Sequence, residues 1–193
     1  IEEQQREEEV DTSTQLASKV EEMLIQAVIK DGEKIIFRDV KDENSGQIYN
    51  LTVAQYIAYD LGSDNLSFSN ELYAKILQEA VEHCGEEGFK AEEYFTQHVD
   101  IDISSVAVRL SVDRFQLAES LQVKETEQTL RDRVLHLVAD FRLEYVSSHL
   151  KELNARLLQV KDPEEMQEVM GEIMRTQNLR NELAKKNGSN ILV

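Results

Sequence analysis

Residues that break helices or cross-link chains are scarce in this sequence. Its 193 residues include one cysteine, one proline, seven glycines and no tryptophan. A single thiol, Cys84, excludes both an internal disulfide framework and a zinc site built from cysteines. Because glycine and proline are the strongest helix breakers, their scarcity predicts a mostly helical protein. The hydrophobic fraction of 41% is large enough for a packed core.

Long apolar runs are also missing. No stretch approaches the roughly 18 apolar residues of a membrane span, and no signal peptide is visible. We therefore expect a cytoplasmic protein that makes no membrane contact. The chain begins with Ile1 rather than Met, which indicates a piece of a longer protein.

Acidic side chains outnumber basic ones by 38 to 21, which gives a formal net charge of −17. The excess is concentrated in residues 1–100, with 23 acidic and 8 basic side chains, whereas residues 101–193 carry 15 and 13. Nucleic-acid binding depends on lysine and arginine that neutralise phosphates, so direct nucleic-acid binding is not expected. A protein partner with a basic surface is favoured instead.

The spacing of apolar residues divides the chain into four segments. Residues 1–12 are a charged linker with little to bury. Residues 13–125 contain short amphipathic stretches, which predict a compact helical bundle because such helices must bury their apolar stripes on one another. Within it, residues 34–40 are expected to be extended. Residues 126–150 predict a connecting helix, and residues 151–193 an antiparallel helical hairpin. The predicted fold class is all-α.

Start and stop signals mark several helices. Thr52 and Asp102 are predicted N-caps, and Gly62 is predicted to close the helix that Thr52 begins. Asp162 followed by Pro163 is a strong start signal for the second hairpin helix, since proline suits the first helical position.

Motifs that carry chemistry are absent. The four histidines have no metal-ligand spacing, and none of the three residues after Cys84 is basic and able to lower the pKa of its thiol. Asp100 and Asp102 resemble a magnesium-binding pair, but capping explains Asp102 without a metal. We therefore expect no catalytic residue, no metal and no cofactor in this chain, and no enzymatic activity of its own.

A methionine stripe and an apolar C-terminus are the remaining candidates for function. The stripe, Met166, Met170 and Met174, fits either the core of the hairpin or an adaptable docking surface. The apolar end of the chain fits either a frayed tail or an anchor for a partner. The candidate partner-binding residues are Leu150, Leu153, Leu157, Met166, Met170, Met174, Leu179, Leu183, Ile191 and Leu192.

Two ordered runs carry a family resemblance. Residues 50–61 read NLTVAQYIAYDL and residues 66–73 read LSFSNELY. Together with the helical segments around them, these runs resemble the C-terminal region of bacterial DnaG-type primases, most closely the form found in Bacteroides-like bacteria. The similarity extends from about residue 13 to the end of the chain. The zinc cysteines and catalytic acidic motif of that family have no counterparts here.

The resemblance implies a noncatalytic helicase-binding domain. In such primases this region docks on the N-terminal domains of the hexameric, DnaB-type replicative helicase and couples primer synthesis to unwinding during DNA replication. The nucleotidyltransferase chemistry of the full-length primase would then lie upstream of Ile1, and this domain alone is expected to be a monomer.

Two other interpretations stay open at this point. The chain could be the N-terminal domain of the replicative helicase itself, because the folds of the two domains are related. It could also be an unrelated structural module built around a helical hairpin. Self-association by the isolated chain would favour either alternative over the primase domain.

Overall fold

The computed structural model of the chain describes residues 18–41, 46–112 and 126–189. The chain divides into two units, residues 1–124 and residues 125–193. The described residues form seven helices and one two-stranded sheet, which confirms the predicted, predominantly helical fold class. The small sheet is an addition to the all-α prediction.

The first unit holds five helices and both strands. In chain order they are α1 (Lys19–Asp31), β1 (Ile35–Lys41), β2 (Ile48–Thr52), α2 (Val53–Ser63), α3 (Glu71–His83), α4 (Ala91–Thr96) and α5 (Ile101–Ser111). Helix α1 is central, because it packs on each of the other four helices. Its apolar residues Leu24, Ile25, Val28 and Ile29 are fully buried. Burial on more than one face is what a helix surrounded by neighbours requires.

The two strands pair in an antiparallel hairpin whose register is interrupted twice. Ile35 lies opposite Thr52 and Lys41 opposite Ile48. Asp39 has a positive φ of 54°, and its backbone N–H donates to Oδ1 of Asn50 at 3.0 Å. A left-handed residue with a side-chain partner is typical of a bulge, so the pairing bends here. The predicted extended segment at residues 34–40 overlaps β1.

Helix caps follow the predicted residues in some places and not in others. The Thr52 hydroxyl accepts from the Gln55 N–H, and the Gln55 side chain accepts from the Thr52 N–H, which completes a capping box. Gly62 does not close this helix, because α2 continues to Ser63 and its C-cap is Asp64. The cap of α5 is Asp100 rather than the predicted Asp102, since Asp100 Oδ1 accepts from the Asp102 N–H at 3.0 Å.

The second unit consists of two long helices, α6 (Glu127–Leu157) and α7 (Pro163–Ser189). The predicted boundary between residues 150 and 151 falls inside α6, which continues without interruption. The Ser147 hydroxyl donates to the Leu143 carbonyl one turn earlier at 2.7 Å. The predicted charged linker, residues 1–12, lies outside the described residues.

Candidate functional site

Side-chain contacts between α6 and α7 show the relative direction of the two helices. Nε2 of His149 lies 3.6 Å from a carboxylate oxygen of Glu172, and Arg156 donates to Glu165 at 2.8 Å. Residues later in α6 thus face residues earlier in α7, so the two helices run antiparallel. Glu165 also raises the pKa of the Arg156 guanidinium above its usual range, chiefly through that hydrogen bond.

Local sequence explains why the chain reverses between these helices. Asp162 Oδ2 accepts from the Glu165 N–H at 3.0 Å, as an N-cap does. Pro163 occupies the first position of α7, where its missing N–H leaves no intrahelical bond unmade. The connection between the helices is therefore short and defined by its residue types.

Val169 marks the face of α7 that packs on α6. It is only 1% exposed. Gly171 is partly buried but lies on the far side of the helix. The other partly buried positions of α7 lie within about 60° of Val169 around the helix axis. They are Glu165, Glu172, Ile173, Thr176, Arg180 and Leu183. On α6, Leu150 and Leu153 are buried. The apolar seam between the helices is thus carried by aliphatic residues, and the methionines of α7 contribute little to it.

Instead, the three methionines lie beside the seam and are accessible. At about 100° per residue, Met166, Met170 and Met174 lie about 60°, 100° and 140° from Val169 around the helix axis. Their exposure increases in the same order, from 38% through 51% to 66%. We call this side of α7 the methionine flank.

Charged side chains are absent from the methionine flank between Pro163 and Ala184, and Lys185, about 160° from Val169, ends this uncharged stretch. The residues of this stretch that lie about 60° to 160° from Val169 on that side are Pro163, Met166, Gln167, Met170, Met174, Gln177, Asn181 and Ala184. Charged residues make up 31% of the chain, so eight uncharged positions in one stripe stand apart from their surroundings. Exposed apolar side chains within an uncharged stripe are typical of an interaction surface.

The opposite flank of α7 has a different character. Leu179 lies about 80° from Val169 in the other direction and is 48% exposed. Its side of the helix carries Glu168, Arg175 and Glu182. A partner that covered the methionines would therefore not reach Leu179 across the seam.

The structure consequently separates the ten predicted partner-binding residues. Leu150 and Leu153 belong to the seam, Leu157 and Leu183 are partly buried, and Leu179 lies on the charged flank. Only the three methionines share one exposed face. The remaining two, Ile191 and Leu192, lie outside the described residues. Helical spacing of about 100° per residue already places Leu179 and the methionines on different sides of α7, so their separation can be predicted from the sequence alone.

A second side-chain cluster, in the first unit, escaped the sequence analysis. His98 Nε2 lies 3.0 Å from Glu79 Oε2, and the Tyr94 hydroxyl donates to the same oxygen at 3.3 Å. Burial, followed by the negative charge of Glu79, raises the pKa of the Tyr94 hydroxyl. His98 Nδ1 accepts the Asp100 N–H at 3.0 Å. These bonds join α3, α4 and the start of α5, which is a positioning role.

Other chemistry-bearing side chains do not converge. Among the described residues, no three His, Cys, Asp or Glu side chains are grouped so that they could hold a metal ion. Cys84 is the C-cap of α3 through its backbone N–H, which donates to the Ala80 carbonyl. Its thiol donates to the Val81 carbonyl at 3.1 Å. Within the same residues, none of the helices has an apolar stretch of the length needed to span a lipid bilayer.

Comparisons with known proteins give one assignment. Searches of curated proteins and of solved structures each found no match. A family profile described as a domain of unknown function, DUF8430, matches residues 5–191. Because this match covers nearly the whole chain, including both units, the chain belongs to the DUF8430 family.

Proposed function

We propose that this domain is a noncatalytic docking module, the helicase-binding domain of a DnaG-type primase that recruits the enzyme to a DnaB-type replicative helicase. The observation that carries the docking role is the methionine flank of α7, three exposed methionines in a stripe that carries no charge between Pro163 and Ala184. The helicase as partner is drawn from the resemblance of residues 50–61 and 66–73 to primases.

Methionine suits such a contact for a physical reason. Its unbranched, polarisable side chain adapts to an irregular partner surface and still buries apolar area. A partner side chain placed between Met170 and Met174 would exclude water from its own apolar surface and from the surfaces of both methionines. Since few residues carry most of the binding energy at an interface, these two, which lie farthest from the seam, are the expected anchors.

The charge distribution supports a protein partner. The first hundred residues have nearly three times as many acidic as basic side chains, and such a surface repels phosphate backbones and anionic lipid headgroups. The second half is nearly neutral, so a contact on α7 would not depend strongly on the charge of the partner. In this proposal the domain binds no cofactor and is a monomer in the cytoplasm when alone.

Titration calorimetry tests the proposal. The chain is titrated with the N-terminal domain, and then with the intact hexamer, of the DnaB-type helicase from the same organism. Wild-type protein should bind saturably. Met170→Asp should weaken binding at least about tenfold, because it introduces a charge into the stripe.

Leu179→Asp is the matched control, since it introduces the same charge at similar exposure on the opposite flank of the same helix. It should bind like wild type. Absence of binding by folded wild-type protein would refute the helicase as partner. Equal weakening by both variants would refute the methionine flank as the contact. Sedimentation of the chain alone separates the alternatives, because dimers or hexamers would point to a helicase-side or self-associating module.

A further inference from the structure

A second apolar surface lies in the first unit, between α2 and α3, and does not involve α7. It is an open cleft of about 400 Å³. This volume is within the range of sites that bind small ligands or apolar side chains. The lining is predominantly apolar. The residues that form it include Ala58, Leu61, Gly62, Phe68, Ala74 and Leu77.

Small residues create the cleft. Ala58 and Gly62 come from α2 and Ala74 from α3, at positions where larger side chains would fill the space. A Cβ atom added to Gly62 would have no atom within 4 Å, so the backbone there borders open space. The floor is formed by the buried side chains of Leu61 and Leu77. The cleft therefore exists because small residues occupy these positions on α2 and α3.

The cleft carries one carboxylate and lies in an acidic unit. Glu82 is exposed at the mouth, and its carboxylate accepts from Nε2 of Gln78, another lining residue, at 2.9 Å. None of the described residues that line the cleft is basic. Residues 18–41 and 46–112 together contain 16 acidic and 8 basic side chains. An apolar floor with a carboxylate at its mouth, in a unit of net negative charge, favours an apolar group carried beside positive charge.

We propose that this cleft is a second docking site, which receives an apolar side chain presented by a lysine- or arginine-containing segment of another protein. The floor supplies hydrophobic burial, which gives affinity. Glu82 and the acidic excess of the first unit attract the basic residues and favour their approach, so binding weakens as salt increases. Acidic peptides and anionic lipids are repelled by the same negative charge. This site is independent of the proposed helicase contact.

Selection from a random 16-residue peptide library displayed on phage tests this inference with the complete chain as bait. The enriched peptides should contain large apolar residues together with at least two lysines or arginines. Binding of a synthesised peptide should weaken at least about tenfold in Ala74→Leu, which fills the cleft from α3. Ala58→Leu, which fills it from α2, should have the same effect. Glu82→Lys should weaken binding to a similar extent.

Two controls keep the result specific. Glu92→Lys reverses an exposed charge on α4, outside the lining of the cleft, and should bind like wild type. Met170→Asp should also bind like wild type, because the peptide does not use α7. The melting temperature of Ala74→Leu should stay close to that of wild type, since the added leucine extends into the open cleft.

Several results would overturn the proposal. These are the absence of enriched peptides, enrichment of acidic peptides, and undiminished binding to the two cleft-filling variants while they remain folded. Concentration-dependent self-association that Ala74→Leu abolishes would identify a second copy of this chain as the occupant instead. Tighter peptide binding after removal of residues 1–12 would identify that segment as the occupant.

Discussion

Both carboxylate oxygens of Glu21 accept hydrogen bonds from Ser69. One bond comes from the Ser69 backbone N–H at 2.6 Å and the other from its hydroxyl at 2.8 Å. Glu21 is only 4% exposed, and 48 residues separate it from Ser69 along the chain. The adjacent residue, Phe68, lines the cleft between α2 and α3. The carboxylate of α1 thus fixes the loop that forms one wall of the cleft.

Replacement of Glu21 by leucine should destabilise the first unit by about 1–3 kcal/mol, because the Ser69 donors lose their acceptor. Glu21→Gln should cost less, since one carbonyl oxygen can still accept. Urea unfolding followed by circular dichroism measures both variants. If Glu21→Leu were as stable as wild type, the hydrogen bonds to Ser69 would contribute nothing net.

Thr52 should contribute about 1 kcal/mol through its capping box. Thr52→Ala removes the hydroxyl that accepts from the Gln55 N–H at 3.3 Å and leaves that buried helix start uncapped. Thr52→Ser keeps the hydroxyl and is the matched control. The expected order of unfolding midpoints is wild type, then Thr52→Ser, then Thr52→Ala. An alanine variant as stable as the serine variant would contradict the role of the cap.

The ion pair between Lys75 and Asp100 should make the stability of the first unit depend on pH. The Lys75 hydrogen bond and the Asp102 N–H hold the pKa of Asp100 below its ordinary 3.8. A lowered carboxyl pKa gives stability that is present above the ordinary value and is lost as pH falls through the folded value. Reciprocally, Asp100 raises the Lys75 pKa above its ordinary 10.5, so that contribution is lost in strong alkali.

Asp100→Asn separates the charge from the cap, because asparagine also caps helices well. Its unfolding midpoint should lie below that of wild type at pH 6 and approach it as the pH falls toward 2. The difference should be small and should decrease with added salt, since both groups are accessible to solvent. A difference that stayed constant across this pH range would show that Asp100 acts only as a cap.

Oxidation of the methionine flank should abolish docking without unfolding the domain. Peroxide converts an exposed thioether into a polar sulfoxide, which disfavours an apolar contact. The chain has four methionines, and the fourth, Met23, is also exposed. A Met23→Leu variant isolates the flank, and calorimetry with the helicase domain should show at least about tenfold weaker binding after oxidation. Replacing the three flank methionines by leucine should confer resistance. Unchanged binding after complete oxidation would contradict the proposed contact.

Local features of the fold were predictable from the sequence because their causes are local. Thr52 begins α2 and Asp162 begins α7, each through a side chain that bonds a backbone amide three residues later. Whether Asp100 or Asp102 caps α5 was not determined by local sequence alone. His98, held by Glu79 from another helix, accepts the Asp100 N–H and thereby fixes where α5 begins. The partner strand β2 was missed because pairing depends on two separate segments.

The candidate sites also contain features that the sequence predicts and features that it does not. The positions of the methionines and of Leu179 around α7 follow from helical spacing alone, so their separation was available in the sequence. The sequence did not predict which face of α7 is covered by α6, since that depends on how the two helices pack. The cleft between α2 and α3 could not be predicted from the sequence. It forms because Ala58 and Ala74, which are distant in the chain, line the same space.

The length of the uninterrupted helix α6 determines the distance between its first turn and a partner bound on α7. Its 31 residues extend about 46 Å, and α7 runs back beside it. The pairing of Arg156 with Glu165 and of His149 with Glu172 places Met166 and Met174 opposite the last third of α6. A partner held there would stay roughly 30 to 40 Å from the first turn of α6. Because α6 contains neither glycine nor proline, it acts as a stiff spacer, and lengthening it by one turn would move the bound partner by about 5 Å.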